Sequence, residues 1–221
     1  MLASRGITVS HETVRQWGLR FGRDIANRLR RRVPRRGDKW HLDEVVLTIA
    51  GKKHYLWRAV DQDGFVLDVL IQKRRDTKAA KRLLRTLLKK QGWTPRVMVT
   101  DKLKSCAAAK RVVGMGGEHR QHKGLNNRAE NSHQTTRRRE RQMKRFKSPR
   151  QVQPFLSIHD PIANLFHLRH DHRAATDYRA ARAQAFIAWD EAAGAPLAAR
   201  CPHPPRFRAK SAPLASSGPT S

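Results

Sequence analysis

Asp43, Asp101 and Glu130 are the side chains of this sequence whose settings suggest chemistry. Hard divalent cations such as Mg²⁺ take oxygen ligands, and a paired-ion site needs several carboxylates converging from separate elements. With two ions bound, one activates an attacking water or 3′-hydroxyl and the other stabilises the leaving oxygen of an in-line displacement at phosphorus. Each acid also has an ordinary explanation. Asp43 lies in WHLDEVVLTI, where strand alternation puts it on one face with His41, Val45, Leu47 and Ile49, and an arginine could neutralise it there. Asp101 ends the run RVMVTD and is suited to N-cap a following helix, while Glu130 stands three positions after Asn127, close to a capping box. Taken together the acids favour the metal reading, because fifteen Lys and Arg against three Glu lie between Lys102 and Arg150. Phosphate would be held beside the carboxylates.

The elements that must position these acids can be read from periodicity. Residues 40–49 are rich in β-branched and large apolar residues, and KKHYLWRAV and FVLDVLI make two further strands around Asp61-Gln62-Asp63-Gly64. Residues 77–91 change period, with Ala80, Leu83, Leu84, Leu87 and Leu88 as an apolar stripe, Asp76 as N-cap and Gly92 beyond the end. That helix crosses over to a short buried strand ending at Asp101, parallel to the first. A helix over 104–113, a short strand near 118–120 and a strongly basic helix over 127–145 follow. Beyond Pro154, the spacing of Ile158, Ile162, Leu165 and Phe166, then Phe186 and Trp189, predicts helices that cover the core. The class is α/β: a mixed five-stranded sheet flanked by helices.

Before the sheet, Ser10 N-caps a short helix over 8–22 that carries Val14, Trp17 and Phe21 and stops at Gly22. Residues 1–22 thus stand apart from a domain over 39–192, with 23–38 as an arginine-rich linker broken by Pro34 and Gly37. Residues 193–221, rich in Pro, Ser and Ala, read as a disordered tail.

The formal charge of +29, from 47 Lys and Arg against 18 Asp and Glu, implies a polyanionic partner. Nucleic acid fits better than a membrane surface, since the charge is spread along the chain without a lipidation signal or a long basic amphipathic helix. No apolar run approaches a membrane span and no secretory signal opens the chain, so a cytoplasmic location is expected. Cys106 and Cys201 are too far apart in sequence for a C-x-x-C pair and read as free thiols. His119, His122 and His133 lack regular zinc-ligand spacing and read as surface or phosphate-contacting residues. The glycines of GMGGEH follow neither a dinucleotide-binding nor a phosphate-loop pattern.

The runs WHLDEV, VTDKL and GLNNRAENSHQ, in this order over residues 38–148, strongly resemble bacterial insertion-sequence transposases of the DDE type. The resemblance implies a ribonuclease H-like fold, with Asp43, Asp101 and Glu130 at the family's three metal-binding acidic positions and two Mg²⁺ ions, replaceable by Mn²⁺, as cofactors. It implies DNA strand cleavage followed by transfer of the 3′-hydroxyl to a target, with cointegrates as the usual product of this group. Arg137, Arg138, Arg139 and Arg141 match its basic stretch, and with Lys144 and Arg145 they form the expected DNA-binding set. Transposon ends, target DNA and further copies of the chain in a dimer or larger assembly are the implied partners. The acids Asp101 and Glu130 stand 29 positions apart, shorter than in retroviral integrases. Relatives carry more helices before GITVSHETVRQWGLRFG, so this chain is expected to enter the helix-turn-helix halfway, as a truncated copy. Two rival readings follow, an inactive DNA-binding remnant and a metal-dependent nuclease of the same fold.

Overall fold

A computed structural model describes residue 6 and residues 8–32, 37–101, 104–167 and 174–194. Three strands open the sheet: β1 (Lys39–Ile49), β2 (Lys52–Asp61) and β3 (Val66–Gln72). Ala50 and Gly51, both at positive φ, join β1 to β2 in the two-residue turn whose twist suits a hairpin. The helix α2 (Thr77–Gln91) then crosses to β4 (Val97–Thr100), and α3 (Lys104–Val113) leads to β5 (Glu118–Gln121). The order is β3-β2-β1-β4-β5, with β1, β2 and β3 antiparallel in succession and β4 and β5 parallel to β1. This is the mixed sheet that the sequence predicts. The caps of α2 are also as predicted: Asp76 accepts from the Ala79 amide, and Gly92 takes the left-handed conformation.

The two faces of the sheet are covered differently. On one side Trp40, Leu42, Trp57, Ala59 and Met98 pack against the stripe of α2 and against Cys106 and Ala109 of α3. On the other, Leu47, Ile49, Leu56, Val69 and Ile71 meet Phe146 and two residues, Val152 and Leu156, of α5 (Pro149–Leu165). Strand alternation thus divides β1 as expected, Trp40 and Leu42 to the first face and Leu47 and Ile49 to the second. The basic helix α4 (Asn127–Gln142) lies on this second side, against β1 and β2, and α6 (Ala175–Ala193) completes the described chain.

The helix α5 also seals the open edge of β3. Gln153 donates to Val69 O and accepts from the Ile71 amide, and Asn164 does the same for Val66 O and N, all at 2.8–2.9 Å. Side-chain amides here satisfy groups that a neighbouring strand would otherwise pair, which blunts the edge against association.

Two sequence expectations are corrected. The N-terminal helix does not stop at Gly22: α1 runs from His11 to Arg32, through half of the stretch read as linker. Gly22 is a crossing point, where a Cβ would stand 3.0 Å from the Ile158 side chain of α5, so a larger residue there would have to push Ile158 aside. The helix α5, expected beyond Pro154, starts at Pro149 with Ser148 as N-cap and contains Pro154 and Pro161. Pro161 cannot donate to the Ser157 carbonyl four residues back, and Arg30 of α1 donates to that carbonyl at 2.5 Å. The orphaned acceptor thereby ties α1 to α5. Residues 33–36 of the expected linker and 195–221 of the expected tail lie outside the described residues, while the tail's first two positions, Ala193 and Gly194, end and cap α6.

Candidate active site

Asp43 sits in the middle of β1, 9 % exposed, on the face that α4 covers. Its cross-strand neighbour in β2 is Arg58. The expected alternative, neutralisation by an arginine, is not what Arg58 provides. Arg58, 1 % exposed, is paired with Asp160 of α5 at 3.2 Å and donates to Ser132 O at 2.8 Å and Thr136 Oγ1 at 2.5 Å, both on α4. The near neighbour of Asp43 is His133, whose Nε2 lies 3.2 Å from Asp43 Oδ2. His133 is therefore a buried contact of the site, not the surface histidine expected from sequence. Burial holds its pKa below the ordinary histidine value. Burial, with Lys39 and Arg128 nearby, also lowers His41 to about 4. Both imidazoles stay neutral at neutral pH, so neither adds a positive charge that would compete with a metal ion.

Asp101 follows the last residue of β4. The final register pair between β1 and β4 is Leu42 with Thr100, so the next residues, Asp43 and Asp101, stand at neighbouring positions where the parallel ladder ends. The Thr100 hydroxyl donates to Asp101 O at 2.8 Å and lies 2.9 Å from His119 Nε2, which fixes the turn out of the strand. Residues 102 and 103 lie outside the described chain, and α3 begins at Lys104.

Glu130 lies in the first turn of α4 and is exposed. The capping box expected with Asn127 does not form, because the N-cap is Asn126 and its side chain makes no cap hydrogen bond. Asn126, fully buried, donates instead to Leu42 O at 2.9 Å and Asp101 Oδ1 at 3.2 Å. The structure thus puts Asp43 and Asp101 at neighbouring positions and carries Glu130 in the first turn of α4, the helix packed against β1 and β2. Among the described residues no three His, Cys, Asp or Glu side chains close into a ligand cage. The donor types nevertheless suit a hard cation: carboxylate oxygens of Asp43 within β1 and Asp101 just past β4, and the exposed carboxylate of Glu130 on α4.

A fourth carboxylate, Glu44, points to the opposite face of β1. Burial, helped by Asp43 and Asp101 and opposed by Arg75 at 2.6 Å, raises it to about 7. Among the predicted DNA-binding residues, Arg138, Arg139, Arg141, Lys144 and Arg145 are exposed on α4 and the turn after it. Arg139 also contacts His159 and Gln142. Arg137 is only half-buried and is partly committed to structure, donating to Val46 O at 2.6 Å and to Glu140 at 3.1 Å.

Sequence reasoning missed Asn126 and Arg58. The available signal for Asn126 was its place in NNRAEN, where the cap was given to the wrong one of two asparagines. For Arg58 the signal was a charge inside an otherwise apolar strand, YLWRAV.

The family model described as DDE domain, of IS240-type transposases, matches residues 37–169. The transposase for insertion sequence-like element IS431mec of Staphylococcus aureus is 32% identical over 109 residues, which cover 49% of this chain and 48% of that protein. The chain spans about half the length of the curated relatives it matches. Among solved structures, the catalytic domain of Mos1 mariner transposase aligns with a TM-score of 0.41 at 13% identity, covering 79% of this chain and 93% of that one. The HTLV-2 integrase catalytic core domain in complex with magnesium aligns with a TM-score of 0.42 at 16% identity, covering 64% and 91%.

Proposed function

We propose that this chain, which belongs to the DDE-domain family of insertion-sequence transposases, cuts DNA at a phosphodiester and joins the freed 3′-hydroxyl to a target strand. The observation that carries the reading is the neighbouring placement of Asp43, within β1, and Asp101, just past β4, where the β1–β4 ladder ends, with Glu130 in the first turn of α4 and exposed arginines further along that helix. These three acids would hold two Mg²⁺ ions, with Mn²⁺ as substitute, and the bound ions would supply Lewis-acid activation and charge neutralisation at phosphorus.

The chain's own residues have separable tasks. Arg138, Arg141, Lys144 and Arg145 hold phosphates by charge, which fixes the backbone over the acids without reading sequence. In cleavage, water oxygen bonds to phosphorus, the bond from phosphorus to the 3′ oxygen breaks, and that oxygen leaves as a hydroxyl after taking a proton. In joining, the 3′-hydroxyl loses its proton to solvent, attacks the target phosphorus and displaces the target's own 3′ oxygen. Neutral His133 lies against Asp43 and keeps that carboxylate on the α4 side of the sheet. Joining two transposon ends to one target needs at least two copies of the chain on DNA.

The test uses a labelled transposon end with an unlabelled target plasmid. Asp43→Asn, Asp101→Asn and Glu130→Gln should each abolish both cleaved and joined products in Mg²⁺ while leaving DNA affinity within about twofold. A variant with near wild-type cleavage removes its residue from the site. Cleaved product without joined product would favour the nuclease reading.

A further inference from the structure

We propose that Asn126 is the positioning residue that sets the spacing of the three carboxylates, a role that rests on the reading of those acids as metal ligands. An asparagine at an N-cap normally turns its side-chain oxygen back onto a free amide of the first turn. Asn126 forgoes that bond. Its Nδ2 donates to Leu42 O, the carbonyl of the residue before Asp43, and to Oδ1 of Asp101 itself. Its own carbonyl accepts from the Ala129 amide at 2.9 Å and from the Glu130 amide at 3.2 Å. One buried residue therefore touches the strand of the first acid, the side chain of the second and the backbone of the third.

The arrangement is costly in ways that holding the fold alone does not require. The buried Asn126 side-chain oxygen has only the His41 ring to face, and the cap interaction is given up. Leu42 O, at the end of the β1–β4 ladder, would be satisfied by a single donor. The second hydrogen goes to a carboxylate that must stand near Asp43 despite their like charge. Fixing one oxygen of Asp101 orients the other, and the same residue fixes where α4 starts, hence where Glu130 is delivered.

The experiment measures Mn²⁺ binding to the full chain by the electron paramagnetic resonance signal of free Mn²⁺, with circular dichroism melts as the check on folding. Asn126→Ala should weaken Mn²⁺ binding at least tenfold and raise the Mg²⁺ concentration for half-maximal cleavage by a similar factor. Asn126→Ser, which keeps one donor, should fall between Asn126→Ala and wild type, and Asn127→Ala at the neighbouring helical position should bind as wild type. Wild-type Mn²⁺ affinity in either folded Asn126 variant overturns the proposal, and so does loss of the folded state by both, which would assign Asn126 to stability. Asp101→Asn is the reference: if it binds Mn²⁺ as well as wild type does, the metal reading itself falls and takes this proposal with it. If Asp101→Asn loses the ion and folded Asn126→Ala does not, only this proposal fails.

Discussion

Removing Asp160 should show how strongly α4 depends on the buried pair beneath it. Arg58 and Asp160 are 1 % and 4 % exposed, and burial already pushes the Arg58 pKa down, a sign that Asp160 offsets only part of the desolvation. Deleting one partner of a buried ion pair leaves an uncompensated charge and costs about 3–5 kcal/mol, whereas replacing both by apolar residues of similar volume is often near neutral. Asp160→Ala should therefore cost ~4 kcal/mol. Arg58→Met should cost somewhat less, ~3 kcal/mol, because the Asp160 left behind can take a proton, although Thr136 also loses its partner. The double variant Arg58→Met/Asp160→Leu should cost only ~1–3 kcal/mol, a coupling of several kcal/mol in a double-mutant cycle. Urea denaturation at low temperature, followed by far-ultraviolet circular dichroism, reads all four proteins. Either single variant costing under ~1 kcal/mol, or a double variant equal to the sum of the singles, would refute the argument that this pair anchors α4.

Three further outcomes follow from the same coordinates. Glu44 titrates at about 7 in the fold against an ordinary 4.5, so folding takes up a proton between those values and stability falls as pH rises through that window. Glu44→Gln should flatten that fall, by ~1–2 kcal/mol after allowing for partial solvent screening, in melts compared at pH 5 and pH 8. On α1, Gly22→Val should destabilise by ~1–3 kcal/mol because its branched side chain must displace Ile158, while Gly18→Ala, with open space around it, should gain ~0.5–1 kcal/mol by thermal melting. Arg141→Ala should weaken binding to all duplexes alike and reduce the salt slope by ~1 with no change in melting, whereas Arg137→Ala should also lower the melting temperature through its lost bond to Val46 O.

What the sequence revealed was what short-range physics decides. The strands, the capped helix Thr77–Gln91 and the helix Lys104–Val113 follow from period, cap chemistry and β-branching, signals that sit within a few residues of each other. Asp43 and Asp101 were legible because a polar residue in or just after an apolar strand needs a reason. Gly22 misled because the same residue that ends helices also permits two helices to cross closely, and only the presence of Ile158 opposite tells which. Pro154 misled for a similar cause, since the compensation for prolines inside α5 comes from distant residues such as Arg30. His133 was read as a surface or phosphate-contacting histidine and Asn126 was missed, because their partners lie 90 and 25 positions away.

Residues that break local rules are concentrated on one side of this fold, Glu44 excepted. The side of the sheet covered by α2 and α3 is packed with Trp40, Leu42, Trp57, Met98 and the leucines of α2, as propensity alone would have it. On the side that α4 covers, β1 and β2 present His41, Asp43 and Arg58, and α4 answers with His133 and Thr136. Each would be a poor choice for a core, and each is tolerable only because another occupies the right place: Arg58 needs Asp160 and Thr136, and Asp43 lies against His133. Such mutual dependence makes the position of α4 nearly all-or-none, since sliding the helix by one residue would strand several buried polar groups at once. An apolar interface would hold α4 as firmly but would accept small shifts at little cost. The polar interface under α4 is the less forgiving kind of contact, and it fixes where the helix, with Glu130 in its first turn, stands against β1 and β2.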